Sequence, residues 1–375
     1  MKKFFINCFF AGVLATSYAQ NLPEQYREKF SESYPIRKEQ HLEIKAYIDK
    51  LLKEEIDKSM SFFQPDFFSI SDYENSLFPY RQKMAVYFGY PPSKALKGKI
   101  TRFEKAGEDQ YCTLYRVWIE VIDGVHTYGI YMVPRGIVKK APMIIAIHGG
   151  GGNPEAICDL DTRINYHSFG HEAVKRGYLV WAPGLTMLSG YANDPAIPGA
   201  ERSLFDNQLK SLGSSIIGLE IHKIIESTRT LIGERAEIDV ENIGMTGLSW
   251  GGFFTMYTTA LCPFIKAAAP SAYFRNSEAD LLATLDATQE KQSIYTFKGF
   301  GHFQTIGLIC PRPCLVQLGE KDGLFDMDGA RAEAERAAQF YEKLNIGDRF
   351  EFMTHDAGHE YDIAGIFKFF DKYLK

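Results

Sequence analysis

Beyond its first 19 residues the chain has no apolar run of the roughly 18 residues that a membrane-spanning helix needs. It has little cysteine, six residues in all, and none at zinc-finger spacing. It lacks an excess of positive charge, with 42 Lys and Arg against 47 Asp and Glu. Such a mildly acidic chain has no electrostatic basis for binding nucleic acid or an anionic membrane, and neither partner is expected.

The N-terminus has the organisation of an export signal. Lys2 and Lys3 precede an apolar run over residues 4–15, and a small-x-small site ends at Ala19. These features predict a signal peptide over residues 1–19. Cys8 lies inside the apolar run and not at the cleavage site, so no lipid anchor is expected. The mature protein is predicted to be soluble and exported, either periplasmic or secreted.

Five cysteines remain after that cleavage. Export permits disulfides, but the odd number leaves at least one thiol unpaired. Cys310 and Cys314 bracket Pro-Arg-Pro. Their expected role is that of small buried apolar side chains and not of metal ligands.

Residues 20–110 have a different pattern of apolar and charged residues from the rest of the chain. Apolar residues recur every fourth position among Lys and Glu, which is typical of an amphipathic helix, at Ile44, Ile48, Leu52, Ile56 and Met60. Several aromatic residues follow. We expect a helical N-terminal extension that packs on the main domain.

Residues 111–375 alternate between strand and helix patterns. Strands are predicted over 111–122, 126–133, 143–147, 178–182, 265–269, 314–318 and 350–354, with a further short strand directly before the tract that contains Ser249. Helices are predicted over 166–176, 212–231, 330–344 and 363–373, with a further helix after residue 249 and a less regular insert through residue 303. Alternation from residue 143 onward indicates crossover units. The predicted fold is therefore α/β, with a mostly parallel central sheet flanked by helices.

The most informative tract is Gly247-Leu248-Ser249-Trp250-Gly251, which lies between an apolar strand pattern and an apolar helix start. It fits the nucleophile elbow, a sharp strand-to-helix turn that exposes a serine hydroxyl. Glycine flanks the serine because the turn leaves no room for side chains. The pattern is weak alone and needs partners.

Two partners follow in the order that this fold uses, acid and then histidine. Asp322 comes after the predicted strand over 314–318, and His359 comes after the last predicted strand. We favour His359 over His355, because His359 follows a glycine on a loop. Asp322 is favoured over Glu320, and over Asp326 and Asp328, which suit a helix start. The predicted catalytic triad is Ser249, Asp322 and His359.

An oxyanion needs two fixed N–H donors. One is expected from the backbone of Trp250. The other is expected from the loop His148-Gly149-Gly150-Gly151-Gly152, with Gly150 and Gly151 as candidates. The loop does not suit a phosphate, because no Gly-Lys-Ser/Thr follows it.

Three further features have plainer interpretations. His167 and His171 could bind metal from one helix face, but a solvated face is favoured. Arg275, with the asparagine after it, could contact substrate or cap a loop. Trp250 could stack on a sugar or serve in packing.

The tracts 247–252, 309–323 and 358–360 resemble the bacterial acetyl xylan esterase and dienelactone-hydrolase-like branch of the α/β hydrolases. The resemblance covers residues 111–375 and implies Ser249 as nucleophile, Asp322 as acid and His359 as base. Dienelactone hydrolases carry cysteine at the elbow, so the serine here points to ordinary carboxylic esters.

The expected function is that of an exported serine esterase acting on a small-molecule or polysaccharide ester, such as acetylated carbohydrate. No metal or organic cofactor is expected. A prolyl-oligopeptidase-type peptidase is the alternative, although the chain is short for the β-propeller of such enzymes. A catalytically silent binding protein is the third possibility.

Overall fold

The computed structural model describes residues 23–137, 139–160, 164–185, 201–277 and 300–375. The predicted signal peptide and most of the predicted insert lie outside these residues. The chain divides into two units after Leu51. A 3-10 turn over Phe30–Ser33 leads into helix α1, Tyr34–Ser61, which begins in the first unit and continues beyond Leu51. Ile44 and Ile48 on this helix are exposed.

Within the described residues, the second unit contains one sheet of nine strands. The strands are β1 Ala95–Glu108, β2 Cys112–Ile122, β3 Val125–Pro134, β4 Ala141–Ile147, β5 Leu179–Pro183, β6 Ile238–Leu248, β7 Ala267–Ser271, β8 Cys314–Gly319 and β9 Phe350–His355. Their order is β1-β2-β3-β5-β4-β6-β7-β8-β9. The pairs from β1 to β5 are antiparallel, and β5, β4, β6, β7, β8 and β9 are parallel. The predicted mostly parallel sheet is confirmed.

Helices cover both faces of this sheet. They are α2 Ile70–Ser76, α3 Phe78–Phe88, α4 Pro154–Ile157, α5 Phe169–Lys175, α6 Glu201–Ser211, α7 Ile216–Glu234, α8 Trp250–Leu261, α9 His302–Ile309, α10 Met327–Lys343 and α11 Ile363–Leu374. Along β4, Met143 and Ile145 enter one core cluster, and Ile144 and Ala146 enter the other. Burial on both faces explains the continuous apolar runs of the central strands.

Within the second unit, the two helices before β1, α2 and α3, are hydrogen-bonded to helices of the sheet domain. Tyr73 donates a hydrogen bond from its hydroxyl to the carbonyl of Gly307, 2.7 Å away. The Arg81 guanidinium donates to the carbonyls of Ala260 and Leu308 at 3.0 and 2.9 Å. These bonds satisfy carbonyl groups near two helix ends, where intrahelical donors are missing.

The prediction that residues 20–110 are helical is wrong for residues 95–108. These residues form β1, the antiparallel partner of β2. Most side chains of β1 are exposed. An edge strand of this kind carries little apolar alternation, so pairing with β2 and not its own pattern decides its structure.

The register of the parallel strands brings several carboxyl ends to one edge of the sheet. Ile147 pairs with Gly247, Leu248 with Ser271, and Gly319 with His355. Loops that follow these strands are therefore neighbours, as in other open parallel sheets. No helix within the described residues is both long and apolar enough to cross a membrane.

Candidate active site

Ser249 occupies the turn between β6 and α8. Its backbone has φ 60° and ψ −120°, a strained conformation for a residue with a side chain. Its backbone N–H donates to the carbonyl of Ser271 at 2.8 Å. This is the geometry of a nucleophile elbow, in which a bond to the next strand holds the serine in place.

The glycines around Ser249 are required by close backbone contacts. A Cβ at Gly247 would lie 2.3 Å from the carbonyl carbon of Gly251. A Cβ at Gly251 would lie 2.2 Å from the carbonyl oxygen of Ile147. Either contact is far inside van der Waals distance, so the turn accepts only glycine at these positions.

Asp322 and His359 meet at the ends of neighbouring strands. His359 Nδ1 lies 2.7 Å from Asp322 Oδ2. The other carboxylate oxygen accepts the backbone N–H of Leu324 at 3.1 Å. The Asp322 side chain is 1% exposed and that of His359 is 27% exposed. A buried carboxylate thus fixes one ring nitrogen of a histidine that solvent still reaches.

The residues considered as alternatives to Asp322 and His359 have other roles in the structure. Glu320 pairs with Arg331. Asp326 caps α10 by accepting the N–H of Gly329 at 3.2 Å, and Asp328 lies in the first turn of the same helix. The carbonyl of His355 accepts the N–H of Glu320 at 2.9 Å as part of the strand end. None of these side chains makes a hydrogen bond or ion pair with His359 in the described residues.

A row of rings runs from the elbow to His359. Ring centroids are 5.6 Å apart between Trp250 and Tyr273, 5.9 Å between Tyr273 and Phe325, and 6.1 Å between Phe325 and His359.

The Ser249 hydroxyl makes no hydrogen bond within the described part of the chain. Catalytic hydrogen bonds are often long before substrate binds and shorten in the complex.

The glycine loop after β4 lies against the elbow. A Cβ at Gly149 would lie 3.2 Å from Ser249 Cβ, and one at Gly150 would lie 2.9 Å from Trp250 Cδ1. The N–H of Gly152 donates to the carbonyl of Gly149 at 3.1 Å, closing a turn in which Gly151 has φ 71°. Glycine suits that left-handed position.

His148 and Tyr166 hold this loop. His148 Nδ1 lies 2.9 Å from the carbonyl of Gly149, and Nε2 accepts the N–H of Leu185 at 2.9 Å. Burial lowers the pKa of His148 to about 4. The histidine is therefore neutral near pH 7, and both ring nitrogens serve structure.

Of the two glycines predicted as oxyanion donors, Gly150 lies beside the first residue of the elbow helix. The N–H of Gly149 already donates to the Tyr166 hydroxyl at 2.8 Å. The backbone N–H groups of Gly150 and Gly151 donate to no other group in the described residues. Gly150 contacts the ring of Trp250, which begins α8 directly after Ser249.

Several residues that support this site were not predicted from the sequence. Gln317 on β8 bonds both Ser271 and Asp362, and Phe325 stacks on His359. A polar residue inside an apolar strand was the available signal for Gln317, because such a group needs buried partners. No local signal marks Phe325 or Tyr166, whose partners are distant in the chain.

The remaining candidates lie as follows. His167 and His171 do not share a helix face, because α5 begins at Phe169 and His167 has φ 48°. Arg275 lies beside the row of rings, with its guanidinium carbon 5.4 Å from the Tyr273 centroid. Cysteines among the described residues are free and buried: Cys112, Cys158, Cys262, Cys310 and Cys314.

No family model and no curated protein sequence matches the chain. Solved structures do. The methylesterase BT1017 aligns over 86% of this chain and 68% of its own, at 16% identity and a TM-score of 0.62. A candidate acetyl xylan esterase from Bacteroides fragilis NCTC 9343 aligns over 78% and 79%, at 16% identity and 0.61.

A carbohydrate esterase family 15 glucuronoyl esterase from Caldicellulosiruptor kristjansonii aligns over 82% of this chain and 90% of its own, at 18% identity and a TM-score of 0.56. At such identities the likeness concerns the fold. Together with the sheet order and the elbow, it shows that the chain has the α/β-hydrolase fold.

Proposed function

We propose that this protein is an exported serine esterase that hydrolyses carboxylic esters of carbohydrates. The observation that carries the proposal is the 2.7 Å contact between His359 Nδ1 and Asp322 Oδ2, one strand apart at the sheet edge where the Ser249 elbow lies. A histidine held by a buried carboxylate, together with a serine on a strained turn at the same sheet edge, is the working unit of serine hydrolases.

In the proposed reaction, His359 Nε2 takes the proton of the Ser249 hydroxyl as Oγ attacks the acyl carbon. Asp322 holds the ring so that Nε2 faces the serine and stabilises the imidazolium that forms. The backbone N–H groups of Trp250 and Gly150 donate to the oxyanion, where each such bond is worth about 10²–10³ in rate. The alcohol leaves with the proton from His359.

Water completes the cycle. His359 takes a proton from a water molecule as the water attacks the acyl carbon, and the acid and free Ser249 are released. The rings of Trp250, Tyr273 and Phe325 form a row between the Ser249 elbow and His359. Aromatic faces suit the apolar face of a sugar, and the neighbours that act on carbohydrate esters support that substrate class.

The test is an ester panel with a labelling control. p-Nitrophenyl acetate to octanoate, acetylated xylan and methyl-esterified pectin are offered to the purified protein and to Ser249→Ala. We expect short acyl esters to be preferred, a fluorophosphonate probe to label the unaltered protein, and both properties to vanish in S249A. Ser211→Ala, on the exposed end of α6, should behave like the parent.

Esterase activity or labelling that persists in S249A would refute the assignment. Cleavage of a proline amide without ester turnover would favour the peptidase alternative. A preference for octanoate would indicate a lipase pocket and not a carbohydrate esterase.

A further inference from the structure

A second group of chemically reactive side chains lies where the β1–β2 hairpin meets α5. It contains Asp109, Cys112 and His171, whose ligand-type atoms all lie within 4.8 Å of one another. It is the one such group of His, Cys, Asp or Glu residues that the described ranges contain. The triad does not use it, and it combines nitrogen, sulfur and oxygen atoms.

Asp109 is oriented before any ligand arrives. One carboxylate oxygen accepts the backbone N–H groups of Tyr111 and Cys112 at 2.7 and 2.9 Å. The other oxygen lies 2.8 Å from His171 Nε2 and 3.9 Å from the Cys112 sulfur. Backbone bonds therefore fix one oxygen, and the second faces the imidazole and the thiol.

The second ring nitrogen of His171 also faces a carboxylate. Its side chain is 16% exposed, and Nδ1 is buried without a hydrogen bond in the described residues. Asp159 Oδ2 lies 3.8 Å from that nitrogen, and Asp159 has a left-handed backbone with φ 62°. Histidines that bind metal usually donate their other ring N–H to a carboxylate, and Asp159 is placed for that contact.

We propose that Asp109 Oδ2, Cys112 Sγ and His171 Nε2 form a zinc site, with Asp159 orienting the imidazole. Nitrogen, thiolate and carboxylate ligands are the set that Zn²⁺ takes in proteins, at about 2.0–2.3 Å. Three atoms that now lie 2.8 to 4.8 Å apart surround such an ion after small side-chain shifts. Water would supply the fourth ligand, because a cavity of about 580 Å³ borders Asp109, Asp159 and His171.

Binding is a simple exchange. The Cys112 thiol releases its proton to solvent and becomes a thiolate ligand. The proton that His171 Nε2 shares with Asp109 Oδ2 before binding is also displaced to solvent, and the bound neutral imidazole carries its one N–H at Nδ1, on the side of Asp159. The ion joins the β1–β2 hairpin to α5. In a chain whose described cysteines form no disulfide, such a link would stabilise the folded state by mass action.

The experiment uses metal-free full-length protein and Zn²⁺ alone, with titration calorimetry and thermal unfolding. We expect saturable binding of about one ion per chain and an increase in Tm with added Zn²⁺. Cys112→Ser and His171→Asn should each lose most of that affinity. Matched controls are Cys262→Ser, a buried thiol in the other core cluster, and His167→Asn, which borders the same cavity; both should bind like the parent.

Cobalt provides a readout that needs no variant. Co²⁺ in the unaltered protein should give a near-ultraviolet thiolate-to-metal charge-transfer band together with the visible bands of a tetrahedral ion. No saturable Zn²⁺ binding, a Co²⁺ spectrum without the thiolate band, or equal loss in the control variants would each overturn the proposal. None of these readouts depends on ester hydrolysis.

Discussion

Gln317 holds Asp362 through both polar atoms of its side chain. Nε2 donates to the Asp362 carbonyl at 2.9 Å, and Oε1 accepts the Asp362 N–H at 2.9 Å. The same Oε1 accepts the Ser271 hydroxyl at 3.1 Å, and the Ser271 carbonyl accepts the N–H of Ser249. One buried amide thus joins the elbow to the start of the last helix, three residues after His359.

Gln317→Met should therefore lower both stability and activity. The change leaves the buried Ser271 hydroxyl and the partly buried backbone groups of Asp362 without partners, at a cost of about 1–3 kcal/mol. It also frees the backbone that follows His359, so kcat for p-nitrophenyl acetate should fall. Urea unfolding and steady-state kinetics measure the two effects.

Thr258→Val is the matched control for that change. The Thr258 hydroxyl is buried and has no hydrogen-bond partner in the described residues. Removing it should leave stability unchanged or slightly higher, since an unsatisfied buried hydroxyl is a net cost. Equal losses of stability and kcat in the two variants would show that the Gln317 hydrogen bonds make no specific contribution.

Asp322→Asn tests whether the Asp322 carboxylate fixes the tautomer and orientation of the His359 ring. An amide at this position still accepts the N–H of Leu324, so the fold should persist. It no longer stabilises the imidazolium of His359, and kcat should fall by roughly 10³–10⁴.

The comparison variant for Asp322 is Asp326→Ala, which removes a helix cap four residues away. It should cost about 0.5–2 kcal/mol of stability with kcat retained. Near-normal turnover in Asp322→Asn would rule out the proposed acid.

Much of the parallel sheet could be predicted, because each central strand is an apolar run bounded by glycine or polar residues. The predicted 314–318 and 350–354 correspond to β8 and β9, which each extend one residue further. The order of Ser249, Asp322 and His359 also follows from local patterns at strand ends. The roles of these three residues stay predictions until the experiments above are made.

What could not be predicted depends on contacts between distant positions. β1 is a polar edge strand that exists through pairing with β2. His171 contacts Asp109, which lies 62 positions earlier in the chain. A prediction based on the helix face around His171 could not identify such a distant carboxylate partner. The helix over 166–176 was predicted to begin too early, because His167 and Ser168 both have left-handed backbones.

Gly319→Ala should disturb the loop that carries His359. A Cβ at Gly319 would lie 2.1 Å from the carbonyl oxygen of Gly358 and 2.5 Å from that of Ala357. Relief requires the loop to move, so we expect a loss of about 1–3 kcal/mol in stability and a fall in kcat.

Gly233→Ala is the control for Gly319, because a Cβ there meets nothing within 4 Å inside α7. Alanine should raise stability by up to about 1 kcal/mol, with unchanged turnover. If Gly319→Ala were as benign as Gly233→Ala, close packing of the β8 end against the His359 loop would be disproved.

Stability should decrease as the pH falls below neutrality, because two buried histidines resist protonation. Burial lowers the pKa of His148 to about 4 and that of His302 to about 3. In the unfolded chain both titrate near 6.5, so between that pH and the folded values the unfolded state binds more protons and gains stability. At pH 7 and above the effect is absent, and by pH 5 each histidine costs roughly 2 kcal/mol.

Urea unfolding at pH 7 and pH 5 measures this loss. His302 accepts the N–H of Arg275 at Nδ1, 3.1 Å away, as a neutral ring. His302→Asn removes its titration, so the difference between the two pH values should shrink by about 2 kcal/mol. Identical stability of the parent protein at both pH values would mean that these histidines take up protons in the folded state, which their burial and their acceptor nitrogens oppose.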